Sequence, residues 1–157
     1  MSERVIDVRD ARIGSDVGTA LTGAQWRELM ARYGVPETTT DDLAADHLEP
    51  PTGVFLVAWD GDVPVGCGGV RRHDDTTGEI KRMYVAPDAR RRGVSRIVLR
   101  ALEDRARVIG YTRVVLETGT KQPEAIALYE SEGYTRIAGY GYSRDAAGSR
   151  CYGKDLA

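Results

Sequence analysis

The chain has few of the residues on which most site chemistries rest. Across 157 residues there are two cysteines, two histidines and one phenylalanine. Cys67 and Cys151 stand far apart and form no C-x-x-C pair, so they read as buried, reduced thiols. His47 and His73 belong to no cluster with ligand spacing, and no metal is expected. No apolar run approaches the length that crosses a bilayer. No apolar segment follows Met1-Ser2-Glu3-Arg4, so no signal peptide is visible and a cytoplasmic location is expected. Neither sign of charge dominates: 22 basic against 24 acidic residues leave a net charge of −2. That balance argues against nucleic acid as the main partner, because duplex binding rests on many phosphate contacts. The common nucleotide motifs are also missing. There is no G-x-x-x-x-G-K-[ST] and no G-x-G-x-x-G opening a helix.

What is present reads as one globular domain, long enough to bury a single core. Val5 to Val8 alternates weakly, as an edge strand does. Leu21, Trp26, Leu29, Met30 and Tyr33 follow a helical period, and Gly34-Val35-Pro36 stops that helix. Thr40-Asp41-Asp42-Leu43 has a cap and acids suited to a helix start, closed by Pro50-Pro51. Val54 to Trp59 is a buried strand, Asp60-Gly61-Asp62 a hairpin turn, and Val63 to Arg71 its partner. Gly66, Gly68 and Gly69 crowd that partner strand, which indicates a bulge or a tight approach by a helix. A third strand spans Glu79 to Val85. A helix follows, ended near Ile109 by Gly110. Thr112 to Glu117 is strand-like, Pro123 opens a helix stopped by Gly133, and Tyr134 to Ala138 and Cys151 to Lys154 are short final strands. The order β-α-α-β-β-β-α-β-α-β-β predicts a mixed α/β (α+β) domain around one sheet.

The junction Val85-Ala86-Pro87-Asp88-Ala89-Arg90-Arg91-Arg92-Gly93-Val94-Ser95-Arg96 carries the strongest chemical signal. It puts three arginines and a glycine where a strand hands over to a helix. The first turn of a helix has N–H groups without intrahelical partners, and with the helix dipole they attract anions. Arginine adds forked donors that suit phosphate. The local reading is a diphosphate cradle, as for a nucleotide or a coenzyme.

This segment resembles the coenzyme A motif of the GCN5-related N-acetyltransferases, the GNAT superfamily. That family carries Arg/Gln-x-x-Gly-x-Gly/Ala after a strand ending in Val-x-Pro. Val85, Pro87, Arg90 and Gly93 fit. Arg91 replaces a frequent glycine, a change that requires negative φ at residue 91. Ser95 replaces the final Gly/Ala and is small enough to serve as a helix cap. A second stretch, Gln122-Pro123-Glu124-Ala125-Ile126-Ala127-Leu128-Tyr129-Glu130, is similar to the family's Asn-x-x-Ala-x-x-Leu-Tyr-Glu helix. The resemblance covers Val54 to Leu156 and is strongest from Glu79 to Tyr134. It implies a single GNAT-like domain over residues 1–157, with a central, mostly antiparallel, twisted sheet flanked by helices. Residues 1–53 would shape the acceptor side and residues 54–157 the acetyl-CoA-binding core.

The resemblance also implies the chemistry: acetyl transfer from acetyl-CoA to a primary amine, by direct attack in a ternary complex. Backbone N–H groups from Arg91 to Arg96, through Arg92, Gly93, Val94 and Ser95, would hold the pyrophosphate, helped by the Arg90, Arg91 and Arg92 side chains. Met83, Tyr84 and Val85 would offer a strand edge to the pantetheine arm, and Tyr84 or Val85 an oxyanion donor. Gln122 and Ala125 would also face the coenzyme. Tyr129 would protonate the leaving thiolate, with a core aromatic as the alternative reading. Glu79 stands where some members carry a catalytic base and, on a regular strand, would share a face with Lys81, Met83 and Val85. Its alternative is an ion pair with Lys81 or Arg82.

The acceptor is less legible. Asp41, Asp42, Asp46 and Glu49 would attract a cationic amine or merely form a solvated helix face. Trp26, Tyr33, Tyr140 and Tyr142 would line a pocket or fill a core. A small-molecule amine is expected, with an N-terminal peptide or lysine as alternatives. A non-enzymatic acyl-CoA sensor and a basic-loop interaction module are the other classes. Neither a membrane nor a nucleic acid is an expected partner. The last strands and the loop from Gly139 to Arg150 offer a surface for a homodimer.

Overall fold

Residues 5–34, 43–140 and 148–156 are described by a computed structural model of the protein. The expected stop at Pro36, the helix start at Thr40 to Asp42, and Tyr142 lie outside the described residues. Seven strands form one sheet: β1 (Ile6–Asp10), β2 (Val54–Asp60), β3 (Val63–Arg72), β4 (Thr77–Val85), β5 (Arg113–Gly119), β6 (Thr135–Ile137) and β7 (Ser149–Asp155). Their spatial order is β1-β2-β3-β4-β5-β7-β6. Only β4 and β5 run parallel; every other neighbouring pair is antiparallel. The helices are α1 (Asp16–Tyr33), α2 (Val94–Ile109) and α3 (Pro123–Ser131). This is the mixed α/β fold that the order of elements predicts.

Local chemistry accounts for these elements. The two-residue turn Gly61-Asp62 closes the β2–β3 hairpin, with Gly61 at φ 61°. On α2, Val94, Val98, Leu99, Leu102 and Ala106 recur on one face and are buried, while Gly110 at φ 116° ends the helix. Each aliphatic side chain so buried contributes about 1.5–3 kcal/mol. Gly68 lets α2 settle on the sheet. A Cβ there would lie 2.8 Å from Leu102 Cδ1 and from Met83 Sδ. On the opposite face Phe55, Val57 and Cys67 pack with Leu21 of α1 and Leu48 of a 3₁₀ turn at Ala45–Leu48.

Three local expectations change. Helix α1 starts five residues before Leu21, at Asp16, because Ser15 caps it: the Gly18 N–H donates to Ser15 Oγ at 3.2 Å. The second expected helix is the 3₁₀ turn alone among the described residues. In β4, the bulge changes which residues share a face. Cys67 pairs with Tyr84 and Gly69 with Lys81, so β4 carries one residue more than β3 over that stretch. Arg82 takes φ 61° there. Burial pushes the Cys67 thiol up to about 12, so it stays protonated and donates to the Arg82 carbonyl at 3.3 Å. Beyond the bulge Met83 and Val85 pack against the α2 core, whereas Tyr84 joins the α1 face. Glu79, opposite Arg71 in the register, therefore does not share a face with Met83 and Val85.

Candidate active site

β4 and β5 pair only from Thr77↔Arg113 to Ile80↔Leu116. Beyond that point β4 runs on to Val85 and β5 to Gly119 without pairing to each other. The parted strands open a cleft with a free backbone edge. In an antiparallel ladder a residue's N–H and C=O point to the same neighbour. The Ala86 N–H donates to Val65 O at 2.9 Å, which places the even-numbered residues 84 and 86 on the β3 side. Met83 and Val85 consequently face the cleft. Their carbonyls are met there by side chains: Gln25 Nε2 donates to Met83 O at 2.9 Å, and Arg90 Nε to Val85 O at 3.1 Å.

A cavity of about 610 Å³ fills this cleft. It reaches from Met83, Tyr84 and Val85, past Arg90, Arg91, Gly93, Val94 and Ser95, to Gln122, Ala125 and Tyr129. The structure thus brings both sequence motifs to one cavity. Gly93 adopts φ 76° and ψ 12° and is the N-cap of α2. The first intrahelical bond, Ile97 N–H to Gly93 O at 3.1 Å, leaves the N–H groups of Val94, Ser95 and Arg96 free at the helix start. Ser95 lies inside the helix rather than capping it. Arg91 adopts φ 66°. The negative φ expected for an arginine at this position is therefore not met, and the loop keeps the left-handed turn with a side chain attached.

The arginines divide. Arg90 reaches Glu28 Oε2 at 2.5 Å, and Arg32 bridges Glu28 at 3.4 Å and Glu124 at 2.7 Å. Arg92 and Arg96 do not line the cavity. The first donates to Asp60 at 3.0 Å and the second lies 3.5 Å from Glu132. Tyr129 is 6% exposed and packs at 5.7 Å from the Tyr134 ring, yet it also lines the cavity. It is thus a core aromatic whose edge borders the cavity. Burial pushes its phenol up to about 12, so it carries its proton at neutral pH.

Glu79 lies elsewhere, in a second cavity of about 320 Å³ lined also by His47, Thr52, Arg71, Arg72, His73 and Tyr140. Its carboxylate is buried and accepts from Arg71 Nε at 2.7 Å. Glu79 and Tyr129 line different cavities. Of the aromatics considered for a pocket, Tyr140 lines this one. Tyr33 instead accepts the Lys121 N–H at 3.1 Å, and Trp26 lines neither. Asp46 begins the 3₁₀ turn's acidic end, and Glu49 pairs with Arg12 at 2.9 Å.

Sequence reasoning missed the α1 wall, formed by Gln25, Glu28, Leu29 and Arg32. Their i, i+3, i+4, i+7 spacing puts them on one helix face and was a readable signal.

A sequence description of the acetyltransferase (GNAT) family matches residues 21–134. The chain is 39% identical over 107 residues to the IAA acetyltransferase of Azospirillum brasilense, covering 68% of this chain and 70% of that protein. Its fold superposes on a Klebsiella pneumoniae chain assigned to the acyl-CoA N-acyltransferases with TM-score 0.80 and 26% identity, covering 99% of this chain and 100% of that one. It also matches the fold of a GNAT family acetyltransferase from Elizabethkingia anophelis solved with acetyl-CoA bound. There the TM-score is 0.70 at 18% identity, over 96% of this chain and 97% of that one.

Proposed function

The chain belongs to the acetyltransferase (GNAT) family, and on that premise we propose that it moves an acetyl group from acetyl-CoA to a primary amine of a small molecule, by direct attack within a ternary complex. The observation that carries this reading is the cavity between the parted strands, which joins the start of α2 to Tyr129. The free N–H groups at Val94, Ser95 and Arg96 and the guanidinium of Arg91 suit a pyrophosphate. The open edge at Met83 and Val85 suits an amide-bearing arm laid down as an added strand.

The chemistry then follows from the positions of the groups. The neutral amine attacks the thioester carbonyl carbon, a C–N bond forms and the C–S bond breaks. The Val85 N–H, which faces the cleft, is the donor assigned to the developing oxyanion. Tyr129 gives its proton to the departing thiolate, and its phenolate is reprotonated through solvent by the second proton that the attacking nitrogen sheds as the amide forms. Glu79 takes the ammonium proton through solvent, since it lies in the neighbouring cavity and not beside Tyr129. Residues 1–53 supply part of the acceptor side through His47 and Thr52, while α1 walls the coenzyme cavity whose core comes from residues 54–157. The small-molecule assignment rests on the modest size of the second cavity, about 320 Å³.

Calorimetric titration with acetyl-CoA tests the cradle. Saturable one-to-one binding is expected, and Gly93→Asp should abolish it, because it puts both a Cβ and an anion at a φ 76° position beside the phosphates. Absence of binding to the wild-type chain would overturn the reading in favour of a basic-loop interaction module. Binding without thiol release on a broad amine panel would favour a sensor.

A further inference from the structure

The second cavity is the part of the molecule that the coenzyme site does not use. It lies against the apex of the cleft. Glu79 immediately precedes Ile80, whose pairing with Leu116 is the last before β4 and β5 part. The cavity's chemistry is specific. One buried carboxylate, Glu79, is paired with Arg71. A second guanidinium, Arg72, follows on β3 and pairs with Asp75, whose side chain is 91% exposed and screened by water. His47 accepts the Ala44 N–H on Nδ1 at 3.0 Å, so its neutral ring carries the proton on Nε2 and can donate it. The Tyr140 hydroxyl is buried and faces the Glu79 carboxylate, and burial together with that negative charge holds its phenol well above the usual range. Among the described residues the lining is thus cationic by one charge, rich in donors, and holds a single anionic group at the cleft end.

We propose that this cavity is the acceptor subsite and that it selects an amine which also bears a carboxylate, a free amino acid or a close relative. The proposal rests on the acetyltransferase reading above. The ammonium end is held at Glu79, next to the cleft. The carboxylate end is held by Arg71 and Arg72, with a donor from His47. At about 320 Å³ the cavity sits at the small end of the usual ligand range of roughly 300–1,000 Å³. A site built from charged donors discriminates strongly against an analogue lacking the matching anion, because its own groups are then left unpaired.

The test uses the full chain, acetyl-CoA and matched pairs of acceptors: L-methionine, L-glutamate and L-phenylalanine, each against its α-carboxamide. Thiol release gives kcat/KM. At least one acid should exceed its amide by about tenfold to a hundredfold, the range for a charge-assisted hydrogen bond. Arg72→Gln should bring that acid down toward its amide, with the loss in KM rather than kcat. Arg72 is half exposed on an edge of the cavity, so this variant tests recognition without unpairing buried Glu79. Amides used as well as acids, or discrimination unchanged in Arg72→Gln, would overturn the subsite while leaving the acetyltransferase reading intact. Failure of acetyl-CoA to bind in calorimetry would overturn both.

Discussion

Arg90 and Glu28 meet at 2.5 Å across the mouth of the larger cavity, 62 residues apart in sequence. The contact ties α1 to the loop that precedes α2. It also commits the guanidinium that sequence reasoning assigns to the coenzyme phosphates. Any diphosphate entering the cradle must compete with the Glu28 carboxylate for Arg90.

Removing that competitor should therefore tighten coenzyme binding. Glu28→Gln is expected to lower the acetyl-CoA Kd by about twofold to fivefold, the range for a partly exposed ion pair. The gain should shrink as ionic strength rises. Titration calorimetry at two salt concentrations measures it. Weaker binding in the variant would mean that Glu28 orders Arg90 for phosphate rather than withholding it.

Arg91 at φ 66° keeps a left-handed conformation that costs a residue with a Cβ about 1–2 kcal/mol. Part of that is offset by the greater unfolded-state entropy of glycine. Arg91→Gly should raise the melting temperature by about 2–4 °C, whereas Arg91→Ala should not. Thermal unfolding of both variants without ligand separates backbone strain from the loss of the guanidinium.

The contrast between α2 and α1 shows what the sequence exposes. The α2 register and its Gly110 stop are written in adjacent residues, and so is the Leu128-Tyr129 motif; the start at Gly93 is not, since Ser95 is the expected cap. The cavity they build could be anticipated. The spacing of Gln25, Glu28 and Arg32 places them on one helix face, but their partners at Met83, Arg90 and Glu124 are set by the docking of α1. The bulge at Arg82 was equally hidden. It is accompanied by a Cys67 thiol bond to the Arg82 carbonyl, and it reverses which side of the sheet Met83 and Val85 reach. The second cavity draws on Thr52, Arg71, His73 and Tyr140, from four separate stretches of chain.

Glu103 is a buried acid on α2 that the chemistry does not need. It is 4% exposed, accepts from Tyr134 at 2.7 Å and from Lys154 at 3.0 and 3.1 Å, and so joins α2 to β7. Lys154→Met would leave this charge without its cation. The expected cost is about 2–3 kcal/mol, below the figure for fully buried pairs because the Lys154 side chain keeps 23% exposure. The double variant Glu103→Leu/Lys154→Met should recover most of that loss. Denaturant unfolding of the single and double variants checks the pair. A double variant no more stable than Lys154→Met would show that the Tyr134 contact, not the charge, holds the site.

Tyr129 gives the most direct test of the chemistry. Burial raises its phenol pKa from near 10 to about 12 in the folded chain. The protonated form therefore persists well above neutrality, and the donor is lost only as pH approaches 12. If Tyr129 protonates the thiolate, activity should rise with pH as the amine loses its proton. It should then hold level through pH 10 rather than fall where an ordinary tyrosine ionises. Tyr129→Phe removes the donor and keeps the ring that packs near Tyr134 and Tyr152. Turnover should drop by about a hundredfold, with acetyl-CoA Kd changed less than about twofold. An alkaline loss of activity centred near pH 10 would assign the donor to another group. Unchanged turnover in Tyr129→Phe would leave Tyr129 as a core residue that borders the cavity without acting in it.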